Sequence, residues 1–298
     1  MALALGTLVG AQGLGEPLSP EQLAVNYLSK EVPSWSSENG CHSCHNDGDG
    51  ARALLFAASH GMDVPTSALA PSTKWLRAPE RWSAKQHSSE GGDKHLARIQ
   101  FAAALNASPE VDESILRAAA DQLAADQQAD GSWAVANETP AGSPATYGGP
   151  MATALSLAVL ERANRRHFSE RIEKARAWLE TQNSAALPLQ AAIAFSHDPS
   201  EQRFVTAVGK IVASQNSDGG WGPYPGSPSE CFDTALAVLA MSRSANSATA
   251  TERGRGYLID QQLDLGGWPE TTRPSGGDSY GQHISTTAWA TMALIATR

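Results

Sequence analysis

QQADGSW at 127–133, QNSDGGW at 215–221 and QLDLGGW at 262–268 decide how this chain is read. Each sets a glutamine first, a glycine four residues later and a tryptophan six residues later. Each also follows an apolar stretch of helical period and precedes a second one rich in Ala, Leu and Thr. The repeating unit is therefore a helical hairpin with the Gly-Trp turn between its two members. Working outward at this spacing divides the chain into hairpins at 19–60, 67–107, 112–163, 169–197, 200–244 and 250–297. The first, second and fourth are degenerate; the fourth keeps only KARAWLETQN before its turn. Helix-start signals stand at Ser19-Pro20-Glu21-Gln22, Ser169-Glu170-Arg171-Ile172 and Pro199-Ser200-Glu201-Gln202. A lone hairpin cannot bury its apolar face, so neighbours must stack. Six units with Ala-rich second helices predict an all-α ring, an α/α toroid of inner and outer helices; an open superhelix is the alternative.

The Gln…Gly-x-Trp turns, extended by Arg253-Gly254, Tyr257-Leu258 and Gln262, resemble the repeats of squalene–hopene cyclases, oxidosqualene cyclases and protein prenyltransferase beta subunits. Those proteins form α/α toroids, and the resemblance runs over residues 19–297. It implies that Trp133, Trp221 and Trp268, with their glutamines, brace the ring. Cyclases of this kind begin their reaction from an Asp-x-Asp-Asp-Thr-Ala motif at the start of an inner helix, where the middle aspartate protonates an alkene or epoxide. The stretch that matches is Glu230-Cys231-Phe232-Asp233-Thr234-Ala235. Glu230 and Asp233 are weak catalytic candidates, because Phe232 stands where the donor belongs and cannot give a proton. With six Phe and five Tyr, the chain also has little aromatic lining for a large hydrocarbon cavity. A plainer reading of Glu230 and Asp233 is acidic residues favoured by a helix N-terminus.

Residues 41–45, Cys-His-Ser-Cys-His, carry a different suggestion. Two cysteines three apart with a histidine after the second match the attachment pattern of c-type haem. Cys41 and Cys44 would form the thioethers, and neutral His45 would ligate the iron. The polar Gly/Asn/Asp-rich surroundings predict an exposed site. On the opposite side of the iron, His283 is the first candidate, followed by His87 and His95. A Cys41–Cys44 disulfide, a zinc site using His42 or His45, or a zinc site from Cys231, Asp233 and His283 remain open. The run Asn46–Asp49 resembles part of a calcium loop but lacks its closing Glu, so Asp47 or Asp49 as helix caps is the simpler expectation.

Residues 1–17 read as a signal-peptide remnant or disordered leader without a basic n-region, and 18–298 as one toroid domain. Covalent haem would require export, so the expected compartment is periplasmic or otherwise extracytoplasmic. A net charge of −9 with no basic cluster argues against nucleic acid and anionic membranes as partners. No segment looks apolar enough for an integral membrane span. The leading expectation is an exported haem-binding toroid serving electron transfer, redox sensing or small-ligand binding, with a redox protein or small ligand as partner. A cyclase-like or isoprenoid-binding protein without the usual acid is the alternative, and a structural module with a Cys/His metal site is the other.

Overall fold

The computed structural model describes residues 17–82, 93–136, 139–271, 273 and 279–298, and among these it is helical with no strand. Twelve α-helices alternate between two rings. The outer ring holds α1 (Pro20–Asn39), α3 (Thr66–Leu76), α5 (Glu113–Asp126), α7 (Ser169–Thr181), α9 (Gln202–Ala213) and α11 (Ala248–Asp260). The inner ring holds α2 (Ala51–Ser59), α4 (Lys94–Ala107), α6 (Gly149–Asn164), α8 (Leu187–Phe195), α10 (Cys231–Met241) and α12 (Tyr280–Ala296).

Sequence period explains the division. In α9 only Phe204, Ala207, Val208 and Ile211 are buried, a one-sided stripe suited to an outer helix. By contrast α12 is buried without interruption from Ile284 to Ile295. Each inner helix packs on the next, and α12 packs back on α2, so the ring is closed and the superhelix is excluded. No described helix is long and apolar enough to cross a membrane.

The three repeated turns are one joint built three times. The indole Nε1 of Trp133, Trp221 and Trp268 donates to the carbonyl of Leu123, Ile211 and Leu258 respectively, each at 2.7 Å. Their backbone amides donate to Thr153, Thr234 and Thr287 on the following inner helix, at 3.2, 2.9 and 3.0 Å. The glutamine amides reach further. Gln127 donates to Gly131 and to the Arg171 carbonyl, and Gln215 to Gly219 and the Ala250 carbonyl. Gln262 donates to Gly266 (3.1 Å) and to the Pro20 carbonyl (2.9 Å), which ties the last hairpin to the first. All three tryptophans are fully buried, as a bracing role requires.

Of the helix-start signals, Ser19 caps α1 by accepting from the Gln22 amide at 3.2 Å, with Pro20 in the first turn. The other two shift. Ser169 lies inside α7 behind Phe168, and α9 begins at Gln202 after Glu201, neither start with a side-chain cap.

Glycine is required in the joint for two reasons. Gly266 has φ +98°, and a Cβ there would lie 2.4 Å from the Leu23 carbonyl oxygen of α1. Gly226 has a similar φ of +80° but open space around it. Gly226→Ala should therefore cost about 1 kcal/mol from backbone strain alone. Gly266→Ala should cost about 2–4 kcal/mol, because backbone must also move. Urea unfolding midpoints of the two variants measure the difference directly.

Candidate functional site

Between α1 and α2 the chain makes a π-helical turn, Cys44–Gly50, that enters the inner ring at one end. Asn46 through Gly50 are buried despite their polar composition, because each side chain finds partners inside the ring. Asn46 donates to the Glu31 carbonyl at 2.9 Å and to the Tyr280 hydroxyl at 2.8 Å. Asp47 accepts from the Ser43 amide at 3.0 Å and from the Ser72 hydroxyl at 2.7 Å, with His42 Nδ1 at 3.1 Å. Asp47 thus does meet a backbone amide, as expected of a cap.

Asp49 does something else. Its carboxylate, 0% exposed, is gripped by side chains from three other segments. Oδ1 accepts from the Tyr147 hydroxyl at 2.5 Å; Oδ2 accepts from Gln100 at 2.8 Å and Ser285 at 2.6 Å. Three donors occupy three lone pairs, so the one left vacant is on Oδ1. Ser285 also lies 3.0 Å from His45 Nδ1. Since Ser285 spends its proton on Asp49, His45 must carry its own on Nδ1. Burial pushes His45 down to about 4, so the ring is neutral near pH 7. For Asp49, burial raises the pKa above the ordinary carboxylate range, against the opposing pull of Ser285, Tyr147, nearby Arg52 and Gln100.

Tyr147 is itself held under strain. It adopts φ +48°, in the left-handed region, at a cost of about 1 kcal/mol. Its hydroxyl accepts from Trp289 Nε1 at 3.0 Å while donating to Asp49. Trp289 is the hub of the aromatic lining, with Phe195 stacked on it and Phe232 edge-on. The Arg52 guanidinium lies over its ring, 4.5 Å from the centroid.

A second acidic group sits across the ring. Asp233 binds Arg273 through both oxygens, at 2.8 and 2.7 Å, and Glu230 adds a contact at 2.5 Å. Arg273 also donates to the Gly142 carbonyl at 2.7 Å. Burial pushes Asp233 up to about 6 even against this arginine. Glu230 and Asp233 are therefore more than residues favoured by a helix dipole; they anchor Arg273. Phe232 is buried between Arg273 and Trp289.

The residues proposed for haem are distributed as follows among the described elements. Cys41 and Cys44 are partly buried, neither exposed nor enclosed, and burial pushes the Cys44 thiol up to about 12. The His45 ring is pressed on α12, where a Cβ at Gly281 would lie 2.8 Å from Nε2, the nitrogen an iron would need. Its other nitrogen serves Ser285. His283 lies two residues beyond Gly281, about 200° around the helix, and faces away; its Nε2 meets the Tyr27 hydroxyl at 2.9 Å. His95 is half-exposed at the start of α4, beside Arg98 and Asp126. His87 and the leader at 1–16 fall outside the described residues. Nor do Cys231, Asp233 and His283 converge: Asp233 is committed to Arg273 and His283 to Tyr27. Among the described residues no group of three His, Cys, Asp or Glu side chains could hold a metal.

Comparison with known proteins agrees with the ring. No family model matches the chain. A drimenyl diphosphate synthase of Streptantibioticus cattleyicolor is 41% identical over 58 residues, which make up 20% of this chain and 11% of that enzyme. Among solved structures, an arginine-to-alanine variant of the type II terpene cyclase MstE from Scytonema, bound to geranylgeranyl dihydroxybenzoate as substrate, superposes with a TM-score of 0.54 at 16% identity, covering 94% of this chain and 99% of that one. The ent-copalyl diphosphate synthase of Streptomyces platensis gives 0.57 at 17% identity, covering 85% of this chain and 50% of the enzyme. A possible member of the GH105 family from Klebsiella pneumoniae gives 0.56 at 11% identity, covering 99% and 98%. The fold is that of the terpene-cyclase toroids, and it is shared beyond them.

The structure also exposes a signal the sequence reading passed over. Asp47-Gly48-Asp49-Gly50-Ala51 places an Asp-x-Asp pair immediately before inner helix α2, the location at which the resembled cyclases carry their acid. Asp49 stands third in that run, and Gly50 stands where those cyclases carry the next aspartate. Tyr147, Gln100 and Ser285 gave no such signal, since each comes from a different segment with no fixed spacing to Asp49.

Produced with a cytochrome c maturation system, the chain should retain no haem after acid–acetone extraction. A Soret band that survives extraction would show that the 41–45 turn opens away from α12.

Proposed function

We propose that this chain is a proton-initiated isoprenoid cyclase, with Asp49 as the acid. The observation that carries the reading is the Asp49 carboxyl: sealed in the ring at an inner-helix start, raised in pKa by burial, with one unfilled lone pair on Oδ1. A proton on Oδ1 is held neutral by its surroundings until an alkene accepts it, the requirement for opening such a cyclisation. The proton moves to an alkene carbon, the C=C π pair forms the new C–H bond, and a carboxylate remains on Asp49. Tyr147, Ser285 and Gln100 are already aimed at that carboxylate, so its charge is stabilised without rearrangement. His45 keeps Ser285 turned toward it. Trp289, Phe195 and Phe232 form the aromatic cluster beside it, and a ring face turned to the carbocation would stabilise it. Asp233, engaged at both oxygens by Arg273, is a fixed anion and not the donor. The names of the matched relative and of two structural neighbours support a polyprenyl chain bearing a diphosphate or an acid as the substrate class.

The test is incubation of wild type, Asp49→Asn and Asp233→Asn with farnesyl and geranylgeranyl diphosphate, followed by dephosphorylation and mass-spectrometric product analysis. Cyclic products should form with wild type and drop about 10²–10⁴-fold with Asp49→Asn. Asp233→Asn should stay within about tenfold of wild type, given folded protein. Loss only in Asp233→Asn would move the acid there, and no cyclic product from wild type would end the proposal.

The pH profile gives an independent check. The protonated acid is the active form, so activity should fall as pH rises through the raised Asp49 pKa. Ser285→Ala removes a donor that favours the carboxylate. It should move that fall to higher pH while lowering the maximal rate, because the acid becomes weaker.

A further inference from the structure

Among the described residues, Arg52 is an arginine of the ring interior whose burial no hydrogen bond or ion pair repays. The other enclosed or half-enclosed arginines are matched: Arg98 to Asp126, Arg176 to Glu161, Arg255 to Glu21, Arg273 to Asp233, and Arg243 to the carbonyls of Ala194 and His197. Arg52 Nη1 is shut off from solvent with no hydrogen-bond partner. The guanidinium rests on the Trp289 face and feels the field of Asp49 and Tyr147 without pairing to either. An unpaired cation in such a place is expensive, and its persistence calls for a partner. The Gln100 Oε1 atom of the same cluster is also buried and unpartnered. Arg52 as a whole nevertheless keeps some accessible surface, as does Phe195 on the neighbouring side of Trp289. Arg52 is thus enclosed at Nη1 without being sealed over its whole length.

We infer that Arg52 is the receptor for an anionic group, carboxylate or diphosphate, carried by the isoprenoid substrate. This rests on the cyclase reading and names its substrate class by charge. Guanidinium suits both groups, offering paired N–H donors to two oxygens. Position adds a second reason. Arg52 is three residues after Asp49 on the same inner-helix start, so a bare guanidinium would repel the carbocation formed there and favour the ionised acid. An anion on Arg52 cancels both effects. The acid would then be loaded and the cation tolerated only when a substrate with the right group is in place. The short separation also limits the distance between the anionic group and the reacting alkene, which favours a short, folded chain over a long extended one.

Calorimetric titration of the full chain with farnesyl diphosphate, farnesoic acid and farnesol tests this without requiring turnover. At least one anion should bind tenfold or more tightly than farnesol, and which one does so separates diphosphate from carboxylate. Arg52→Gln should erase the preference, Arg52→Lys should keep part of it, and Asp49→Asn should leave it intact even with cyclisation lost. Relief of an unpaired buried charge should leave the melting temperature of Arg52→Gln equal to or above that of wild type. Equal binding of farnesol and both anions, no binding of either anion, a preference that survives Arg52→Gln, or a lowered melting temperature would each overturn the inference. Failure of cyclisation alone, with the preference and its loss intact, would fall on the cyclase reading instead.

Discussion

The ring closes where α12 packs on α1, α2 and the π-helical turn, a seam to which the Gln262 amide adds its bond to the Pro20 carbonyl, and the site depends on that closure. The joint is chemically the same as those made by Gln127 and Gln215, yet it spans nearly the whole chain. It seats α12 against α1 and the π-helical turn at 44–50. Ser285 and Trp289 come from α12, Asp49 and His45 from that turn, and Gln100 from α4. The acid is thus assembled at the seam between the last hairpin and the first. Were the ring open, Asp49 would lose Ser285 and the Trp289-supported Tyr147, and its burial would end.

The same seam explains how the sequence was legible in one respect and misleading in another. Hairpin limits followed from helical period, and the turns that repeat Gln, Gly and Trp are bonded alike in the structure, down to the threonine each tryptophan amide meets. Those features are local or repeat with fixed spacing. The site is neither. Asn46, Asp47 and Asp49 look like an exposed loop by composition, but lie inside because Tyr280, Ser72, Tyr147, Gln100 and Ser285 each answer one of them. Polarity alone does not distinguish a solvated loop from a satisfied buried network. The Cys41–His45 pattern is read by spacing alone, which shows what the residues could hold; that His45 lies against Gly281 and Ser285 on a distant helix is outside its reach.

Charge organises the interior into two unlike halves. On one side Asp233 and Glu230 hold Arg273, which also binds the Gly142 backbone, so these acids are structural. On the other, Asp49 accepts only neutral donors, while the one nearby cation turns to an indole ring. A carboxyl that is buried, met by hydroxyls and not ion-paired holds its proton more readily than an exposed one and can still release it. Phe232, in the position where a donor would have been sought, packs between the halves as part of the aromatic lining.

The most direct measurement is the reaction run in deuterium oxide with farnesyl diphosphate, the product analysed by mass spectrometry and NMR. Protonation by Asp49 places one deuterium on a ring carbon that does not exchange, and the diphosphate stays attached. A cyclic product free of deuterium, with diphosphate released, would mean that ionisation and not an acid starts the reaction, and would contradict the role given to Asp49.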